Sequence, residues 1–354
     1  MQDTRDHRVK LQHQSGIGEG IVRLGPLTGV VPVARELGVD PEEILEPLGY
    51  TTAQFDDPDF EIPYVIAAEV LARCAETTQS HHFGLLLGIR AHPSLLGIPG
   101  FLLLNAPDVG AALEALVQNL DLHDHGGEAF LYSQGNSTLL GYTIHQTNVK
   151  ACEQIYDLSI SVGCNIMRHL CGESWNPTEV CLSRNAPPDL KPYRRFYGTR
   201  VRFNSDLNVL VFPNRWLKHK IPRADALLYR HMEREANALH QPREANVTRD
   251  VRRILRKSML SGHFTATKIA RHLCMHERTL HRRLHEQGTS YQLELDTIRD
   301  EIARQLLTGS ATPIVRIAAM LNYSSVSAFN RAFKRWNGST PARWRTENNA
   351  SPDT

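Results

Sequence analysis

The sequence lacks the long apolar runs and the export signal that would place it in or across a membrane. No stretch approaches the roughly 20 apolar residues that span a bilayer. The richest one, Leu95–Leu104, is interrupted by Gly97, Pro99 and Gly100. The first 15 residues are polar and of mixed charge, so we expect a disordered leader over 1–15 rather than a signal peptide. These absences predict a cytoplasmic protein with no membrane segment.

The signatures of the common catalytic and cofactor-binding classes are also absent. There is no G-x-S-x-G, no P-loop and no G-x-G-x-x-G that opens a helix after a strand. The glycines at 16, 18 and 20 lie in the leader without a preceding strand. We therefore predict no enzyme activity, no catalytic residue and no cofactor. Enzyme activity remains the least favoured alternative.

The cysteines and histidines give little support for metal or redox chemistry. None of the six cysteines forms a C-x-x-C pair, so we expect buried, reduced thiols. Redox sensing by Cys164 and Cys171, seven residues apart on a predicted helix, stays open as a minor alternative. His123 and His125 could bind a metal ion, but alternate histidines before a turn are more often surface residues. We predict no metal site.

The charges are distributed unevenly along the 354 residues. Hydrophobic residues make up 41% of the chain and charged residues 22%, which is typical of a soluble protein of two or three domains. The net charge is only +2, yet Arg243–Arg345 contains 19 Lys and Arg against 8 Asp and Glu. The rest of the chain has 21 basic and 30 acidic residues. A basic C-terminal third on an acidic body indicates a polyanionic partner for that third.

Residues 16–240 predict an α+β body because helical periodicities alternate irregularly with short strand-like runs. The predicted helices are Leu27–Leu37, Pro41–Leu48 after the N-cap Asp40, Pro63–Glu76, Asp108–Leu120 and Lys150–Cys171. The predicted strands are Ala129–Ser133, Thr138–His145, Thr178–Ser183, Arg200–Phe203 and Asn208–Phe212. The first two strands are expected to form a hairpin through residues 134–137.

A polar, proline-containing segment predicts a linker over residues 241–248. An all-helical domain is expected from 249 to 345 and a disordered tail from 346 to 354. Within the helical domain the same arrangement occurs twice: a short apolar helix, a tight turn and a second helix rich in arginine. This is the layout of a DNA-binding helix-turn-helix.

In the first unit, residues 264–288, Leu280 and Leu284 at i, i+4 are expected to dock the second helix onto Ile269, Ala270 and Leu273. The opposite face of that helix is predicted to read base edges. Its predicted base-reading residues are Arg278, His281 and Arg282, and the predicted phosphate contacts are Lys268 and Arg283.

In the second unit, residues 313–338, Phe329 and Phe333 are the predicted anchors of the second helix. Asn322 is expected in the turn, because asparagine tolerates the left-handed conformation. The predicted base-reading residues are Val326, Ser327, Asn330 and Arg331, and the predicted phosphate contacts are Lys334 and Arg335.

A predicted helix over Tyr291–Leu307, ended by Gly309, connects the two units. About 17 residues would form a rod on the order of 25 Å. Such a spacer could place two DNA-reading helices about one duplex turn, roughly 34 Å, apart.

The segment Ile317–Arg345 resembles the signature of the AraC/XylS family of bacterial transcription regulators. The resemblance rests on Phe-x-Arg-x-Phe-Lys-Arg at 329–335, on Gly-x-Thr-Pro at 338–341 and on the closing Trp-Arg. It implies a DNA-binding regulator, usually an activator, that acts near RNA polymerase. Asn322 departs from the usual glycine, and His281 departs from other members, so the preferred bases cannot be carried over.

The N-terminal body is similar to the non-cupin, arabinose-binding-type sensor domain of a subgroup of this family. The similar segments are Pro32–Gly38, Phe60–Pro63, Phe83–Leu85 and Gly97–Gly100. The resemblance implies a small-molecule effector of unknown identity. Among its relatives are regulators of amino-acid or lipid catabolism.

An effector pocket should be apolar with a few polar anchors. We predict Phe101, Tyr142 and Ile155 in its wall, against the alternative that they only pack the core. Dimerisation through the body is expected, because paired sites increase affinity. A DNA-binding repressor or architectural protein without an effector is the alternative function, and an enzyme with a DNA-binding appendage is the least favoured one.

Overall fold

The computed structural model describes residues 20–349 except 147–148, 150, 223, 241–246, 260–264, 274 and 310–311. The predicted leader over 1–15, linker residues 241–246 and tail residues 350–354 lie outside the described residues. Among the helices of the described part, none combines the length and apolar character needed to cross a membrane.

The N-terminal body is α+β, as the sequence predicts. Its helices are α1 Val30–Glu36, α2 Pro41–Leu45, α3 Thr52–Phe55, α4 Tyr64–Thr77, α5 Phe83–Arg90, α6 Ile98–Asn105, α7 Val109–Asn119, α8 Cys152–Cys171, α9 Lys191–Tyr197 and α10 Ala226–His240. Its strands are β1 Ile21–Arg23, β2 Glu61–Pro63, β3 Gly127–Gln134, β4 Ser137–Ile144, β5 Glu179–Cys181, β6 Val201–Arg202 and β7 Val209–Pro213.

The strands form a two-stranded sheet, β1-β2, and a five-stranded sheet in the order β3-β4-β7-β5-β6. The β3-β4 hairpin turns at Gly135, whose φ of 59° is in the left-handed region that the tight turn needs. Leu140 and Leu210 face the core, where α8 packs on the sheet through Gly163. Alternation along the strands places Phe130 and Val209 in a smaller cluster away from that main core.

Several boundaries differ from the sequence prediction. Leu27 lies in a 3-10 turn, and the regular helix begins only at Val30. Pro63 pairs in β2, so the next helix begins at Tyr64. Asp40 caps α2 as predicted, because its carboxylate accepts a hydrogen bond from the Glu42 amide at 3.1 Å.

Helices α5 and α8 approach closely because two positions on α5 lack a side chain. A Cβ at Gly84 would lie 2.0 Å from the Gln154 carbonyl oxygen, and one at Gly88 would lie 1.8 Å from Ser161 Oγ. The amide of Gly84 also donates to the Gln154 side chain at 2.9 Å. Glycine at these positions therefore sets the distance between the two helices.

The C-terminal part is all-helical in the described residues. Its helices are α11 Val247–Met259, α12 Ala266–His272, α13 Glu277–Glu286, α14 Tyr291–Gly309, α15 Ile314–Met320, α16 Val326–Asn337 and α17 Pro341–Asn349. They enclose two small cores. One surrounds Leu280 and Ile298, the other surrounds Phe329 and Leu307, and Ile302 of α14 packs against both.

The predicted ends of this domain need correction. Val247 and Thr248, predicted as linker, begin α11: Val247 is buried and the Thr248 amide donates to the Gln287 side chain at 2.9 Å. Residues 346–349, predicted as disordered tail, belong to α17. Thr346 donates to the Ala342 carbonyl at 3.2 Å within that helix.

Gly84→Ala should lower the free energy of unfolding by about 1–3 kcal/mol, because the new methyl group meets backbone atoms that no rotamer can avoid. Gly163→Ala is the matched control in α8, where a Cβ would lie 3.4 Å from Leu210 Cδ1. That control should be neutral or stabilising by up to about 1 kcal/mol. Urea unfolding of both variants measures the difference. Equal midpoints would contradict the close contact of α5 with α8.

Candidate DNA-binding surface and effector cavity

The first helix-turn-helix unit is built from α12 and α13. Ile269 and Ala270 of α12 are buried against Leu280 and Leu284 of α13, as predicted. Leu273 ends α12 and is partly buried against the same core. Because these side chains fix one face of α13, its opposite face lies toward solvent.

The exposed face of the first unit carries the five residues that the sequence analysis predicts for DNA contact, together with His285. The exposed side chains are Lys268, Arg278, His281, Arg282, Arg283 and His285. Arg282 lies 3.8 Å from Glu286 and His281 lies 3.7 Å from Glu277, both as i, i+4 pairs. Such exposed pairs are weak, so Arg282 can exchange its carboxylate for another anion at little cost.

The second unit is built from α15 and α16. Ser325 caps α16 by accepting a hydrogen bond from the Ala328 amide at 3.2 Å. Phe329 and Phe333 are fully buried, with ring centroids 5.8 Å apart. Asn322 has a φ of 57°, so the residue that replaces the family's usual glycine does adopt the left-handed conformation.

The predicted contact residues of the second unit differ in accessibility. Ser327, Arg331 and Lys334 are exposed. Asn330 is half-buried, and its Oδ1 has no hydrogen-bond partner among the described residues. Arg335 is held by the spacer, since its guanidinium lies 2.9 Å from Asp296. Arg335 is thus more constrained than a free phosphate-binding side chain would be.

A polar stripe along α14, which the sequence analysis missed, fixes the second unit to the spacer. Arg299 Nε donates to the Leu321 carbonyl at 3.1 Å, and its guanidinium lies 4.6 Å from the centre of the Tyr323 ring. Asp300 accepts a hydrogen bond from Asn337 at the other end of α16. The signal was present in the sequence as charges at 296, 299 and 300 on one side of the spacer helix.

The first unit is fixed to the same helix through Glu294. This carboxylate is 1% exposed and accepts hydrogen bonds from Arg252 of α11 and from Thr289. A buried carboxylate needs such hydrogen-bond partners, because burial without them would destabilise the folded state. The spacer helix therefore carries both units by its apolar and its polar residues.

Among the described residues, Asp206 makes two contacts between the N-terminal body and the second unit. Asp206, in the loop between β6 and β7, accepts a hydrogen bond from Thr312 Oγ1 at 2.6 Å. Its other oxygen lies 2.9 Å from Nε of Arg316, near the start of α15. A single carboxylate of the body thus contacts the supporting helix of a DNA-binding unit.

The N-terminal body contains a cavity of about 110 Å³ between the hairpin, α4, α7 and α8. Tyr142 and Ile155, two of the three predicted wall residues, line it. The third prediction, Phe101, is wrong for this cavity: Phe101 is 41% exposed on α6 and does not line it. The apolar run around Phe101 instead uses its neighbours Leu102 and Leu103 for burial.

Three polar side chains in the cavity wall hydrogen-bond one another. The hydroxyl groups of Tyr64 and Tyr142 lie 2.8 Å apart, and Tyr142 donates to Asp124. Asp124 also accepts from the amides of Gly126 and Gly127 at 2.7 and 3.0 Å. Burial raises the pKa values of Asp124 and of both tyrosines, and for the two tyrosines the charge of Asp124 is a further cause.

His123 is buried in the cavity wall, contrary to the expectation of a surface histidine. Burial, and secondarily the charge of Arg23, lowers its pKa to about 3. Its Nδ1 has no hydrogen-bond partner among the described residues. In the part of the chain that the structure describes, no group of three or more potential ligand residues could hold a metal ion.

The thiols of Cys164 and Cys171 are both protonated in this environment, since burial raises the pKa of each to about 12. A thiolate is the form that reacts with oxidants. The burial of both thiols therefore disfavours the alternative of redox sensing at this pair.

Comparison with known proteins gives the two parts of the chain a family. Residues 38–221 match the family described as the arabinose-binding domain of AraC transcription regulator, N-terminal. Residues 269–347 match a helix-turn-helix domain family. The chain belongs to the AraC/XylS family of transcription regulators. As a member, it is a DNA-binding transcription regulator with an N-terminal ligand-binding domain.

Curated relatives of this AraC/XylS regulator match over almost their whole length. The Pseudomonas aeruginosa protein named ornithine utilization regulator is 27% identical, over 89% of this chain and 94% of its own. The transcriptional regulator VirS of Mycobacterium tuberculosis is 25% identical, over 92% and 96%. The solved structure of the transcriptional regulator CdpR from Pseudomonas aeruginosa is 21% identical, over 91% and 96%, with a TM-score of 0.43.

Arg299→Met should loosen the second DNA-binding unit of the regulator. The substitution removes the hydrogen bond to Leu321 and the contact with Tyr323, together worth about 2 kcal/mol. Amide hydrogen exchange should quicken in α15 and α16 and stay unchanged in α13. Arg343→Met, at an exposed pair with Glu347, is the control and should change neither unit. An equal increase of the exchange rate in all helices would contradict the local role of Arg299.

His123→Gln should flatten the acid dependence of stability. Below pH about 6.5 the unfolded chain protonates His123, whereas the folded chain, with a pKa of about 3, does not. The stability that the neutral imidazole contributes is therefore complete above pH 6.5 and is lost as the pH falls toward 3. The difference between wild type and variant should reach about 1.4 kcal/mol per pH unit.

Urea unfolding at pH 6.5, 5.5 and 4.5 measures this slope. Asp157, whose burial raises its pKa to about 6, has the opposite effect, but it is common to both proteins and cancels. His125→Gln, at an exposed neighbouring position, is the control. Parallel curves for all three proteins would show that His123 is accessible to protons in the folded state.

Proposed function

We propose that this regulator activates transcription in response to a small-molecule effector that occupies the cavity of the N-terminal body. The observation that carries the proposal is that one chain combines a largely apolar cavity with two DNA-binding units that pack against the same helix. The name of one relative concerns ornithine use. That name is consistent with an effector-sensing regulator of a catabolic pathway. The chemistry of this chain's own ligand has to be inferred from the residues that line its cavity.

For DNA recognition, we assign base reading to the exposed faces of α13 and α16. In α13 the base-reading residues are Arg278, His281 and Arg282, since all three are exposed on the side opposite the core. In α16 they are Val326, Ser327, Asn330 and Arg331. Arginine offers two parallel donors to the O6 and N7 atoms of guanine, so Arg282 and Arg331 are the strongest candidates for sequence discrimination.

Phosphate contacts are assigned to Lys268, Arg283 and Lys334, which are exposed beside the reading faces. Arg335 would have to leave Asp296 to reach a phosphate. These contacts hold the register of the protein on the duplex without reading bases. The spacing of the two units by α14, 19 residues long, suits consecutive turns of the major groove.

The proposed function also concerns the oligomeric state, the location and the macromolecular partners of the regulator. We propose a homodimer formed through the N-terminal body, action in the cytoplasm on a double-stranded operator, and contact with RNA polymerase. Dimerisation would double the bound sites and raise affinity through effective concentration. The regulators among its relatives support a protein without enzyme activity.

A repressor without an effector is the competing function. A constitutive DNA-binding protein has no need for a cavity of about 110 Å³ in its sensor-like body, because native cores are packed with few voids larger than water. The cavity therefore favours the effector-controlled function.

Arg282→Ala should weaken operator binding by about 1–3 kcal/mol and relax the preference at one base position in one half of the site. Arg331→Ala should act alike in the other half. Lys334→Ala is the matched control: it should weaken binding on all sequences and reduce the salt slope by about one. Gel-shift titrations against single-base operator variants measure these effects. Uniform weakening by Arg282→Ala would reassign that residue to phosphate.

A further inference from the structure

The cavity has few polar side chains, and most of them are already occupied. Of the 25 described residues that line it, six carry a polar side-chain group: Arg23, Tyr64, His123, Asp124, Tyr142 and Ser159. The two tyrosines and Asp124 form the hydrogen-bond network described above, and Ser159 is only half-buried. The groups left to recognise a ligand are those of Arg23 and His123.

The occupied network excludes an ammonium group as the recognised feature. Asp124 is the one carboxylate among the lining residues, and both its oxygens accept hydrogen bonds from the protein. Burial raises the pKa of Asp124, which further disfavours the charged form. A cationic amine placed in this cavity would therefore find no free counter-ion.

Arg23, in contrast, places a positive charge at the cavity wall, and the carboxylate that pairs with it is largely exposed to solvent. Its side chain is 15% exposed, and it pairs with Asp59, whose side chain is 77% exposed. Exposed carboxylates gain little from such pairs. A guanidinium has five donors and binds a carboxylate with two of them in parallel, so Arg23 retains the capacity to bind a second anion.

His123 lies beside Arg23. The Arg23 amide donates to the His123 carbonyl at 2.9 Å, and the charge of Arg23 contributes to the lowered pKa of His123. Two glycines leave room for these side chains: a Cβ at Gly97 would lie 2.4 Å from Arg23 Nη1, and one at Gly25 would lie 2.6 Å from His123 Cε1. The Nδ1 of His123 is buried in the wall without a partner among the described residues. In the neutral tautomer that carries its proton on Nδ1, this nitrogen can donate a hydrogen bond to a ligand oxygen.

The size of the cavity limits the rest of the ligand. A dry apolar cavity of roughly 150 Å³ accommodates one benzene molecule, and this cavity measures about 110 Å³. Its remaining walls are aliphatic, from residues such as Leu71, Leu116 and Ile166. The space fits an apolar group of about four to six carbon atoms.

We propose that the effector is a small monocarboxylate with a short or branched hydrocarbon part, whose carboxylate binds Arg23 and the Nδ1 of His123 while its apolar part fills the cavity. This inference rests on the proposed function and adds to it the charge and size of the ligand. Binding would exchange Asp59 for the ligand carboxylate on Arg23, and it would satisfy the one buried polar atom that the cavity leaves without a partner.

Calorimetry and thermal unfolding of the full-length protein test this proposal with 3-methylbutanoate and hexanoate as probes. The corresponding amides, 3-methylbutanamide and hexanamide, have the same shape without the charge. Ornithine carries two ammonium groups in addition to its carboxylate, so it tests whether the cavity admits a cationic amine. The carboxylates should raise the thermal midpoint with concentration. They should bind at least about tenfold more tightly than the amides, the difference expected for a charge-assisted hydrogen bond. Ornithine should not bind.

Two variants should shift carboxylate affinity in opposite directions, which separates recognition from loss of folding. Arg23→Met should weaken the carboxylates by about tenfold or more and leave the amides unchanged. Asp59→Asn should tighten the carboxylates by up to about fivefold, because it removes the competing anion. Ala129→Leu, which fills the cavity, should abolish binding of both probe classes.

The outcomes distinguish this inference from the proposed function. Equal binding of acids and amides, or an unaltered affinity of Arg23→Met, would overturn the carboxylate inference, yet loss of binding in Ala129→Leu would keep the cavity as the effector site. Ornithine binding in place of the acids would overturn the inference alone. Carboxylate binding that survives Ala129→Leu, or no binding at all, would overturn it too. The DNA-binding function is decided separately by the operator titrations.

Discussion

The helix α14 is the constraint on which DNA reading depends. Its apolar residues complete the cores of both helix-turn-helix units, and Ile302 contacts both. Its charged residues add polar contacts to segments outside these cores. Glu294 binds Arg252 of α11, and Arg299 binds the Leu321 carbonyl in the turn of the second unit. Neither unit alone encloses enough apolar surface for a stable domain. The two reading faces are therefore held at one separation.

The sensor part is organised around a different helix. One side of α8 lies close to α5 because Gly84 and Gly88 have no side chains, and another side of the same helix lines the cavity through Ile155, among others. Because α8 packs directly on the sheet, a small displacement of α8 would also shift the strands that contact it. Asp206, at the end of that sheet, contacts Thr312 and Arg316 of the second DNA-binding unit. The geometry thus offers a short connection between the cavity and the second helix-turn-helix unit.

Much of this architecture could be predicted locally. Hairpin β3-β4, the capped helix after Asp40 and the packing positions Leu280, Leu284, Phe329 and Phe333 follow from periodicity and turn chemistry, since each depends on residues a few positions apart. Boundaries were less predictable. Residues 346–349 continue α17 through local hydrogen bonds such as that of Thr346 to the Ala342 carbonyl. The start of α11 instead has a partner far away in sequence, Gln287, which accepts from the Thr248 amide. The cavity residues His123 and Arg23 were missed for the same reason, and exposed Phe101 was mistaken for a wall residue.

The sequence by itself determined that this chain carries two helix-turn-helix units behind an α+β body, because their signals are local: apolar spacing, turn residues and a charge excess in one third of the chain. Only the tertiary structure decided which side chains converge. Arg23 and His123 are 100 positions apart, yet strand β1 places them side by side at the cavity. Burial and the approach of distant charges set their chemistry, and neither is encoded in any local pattern.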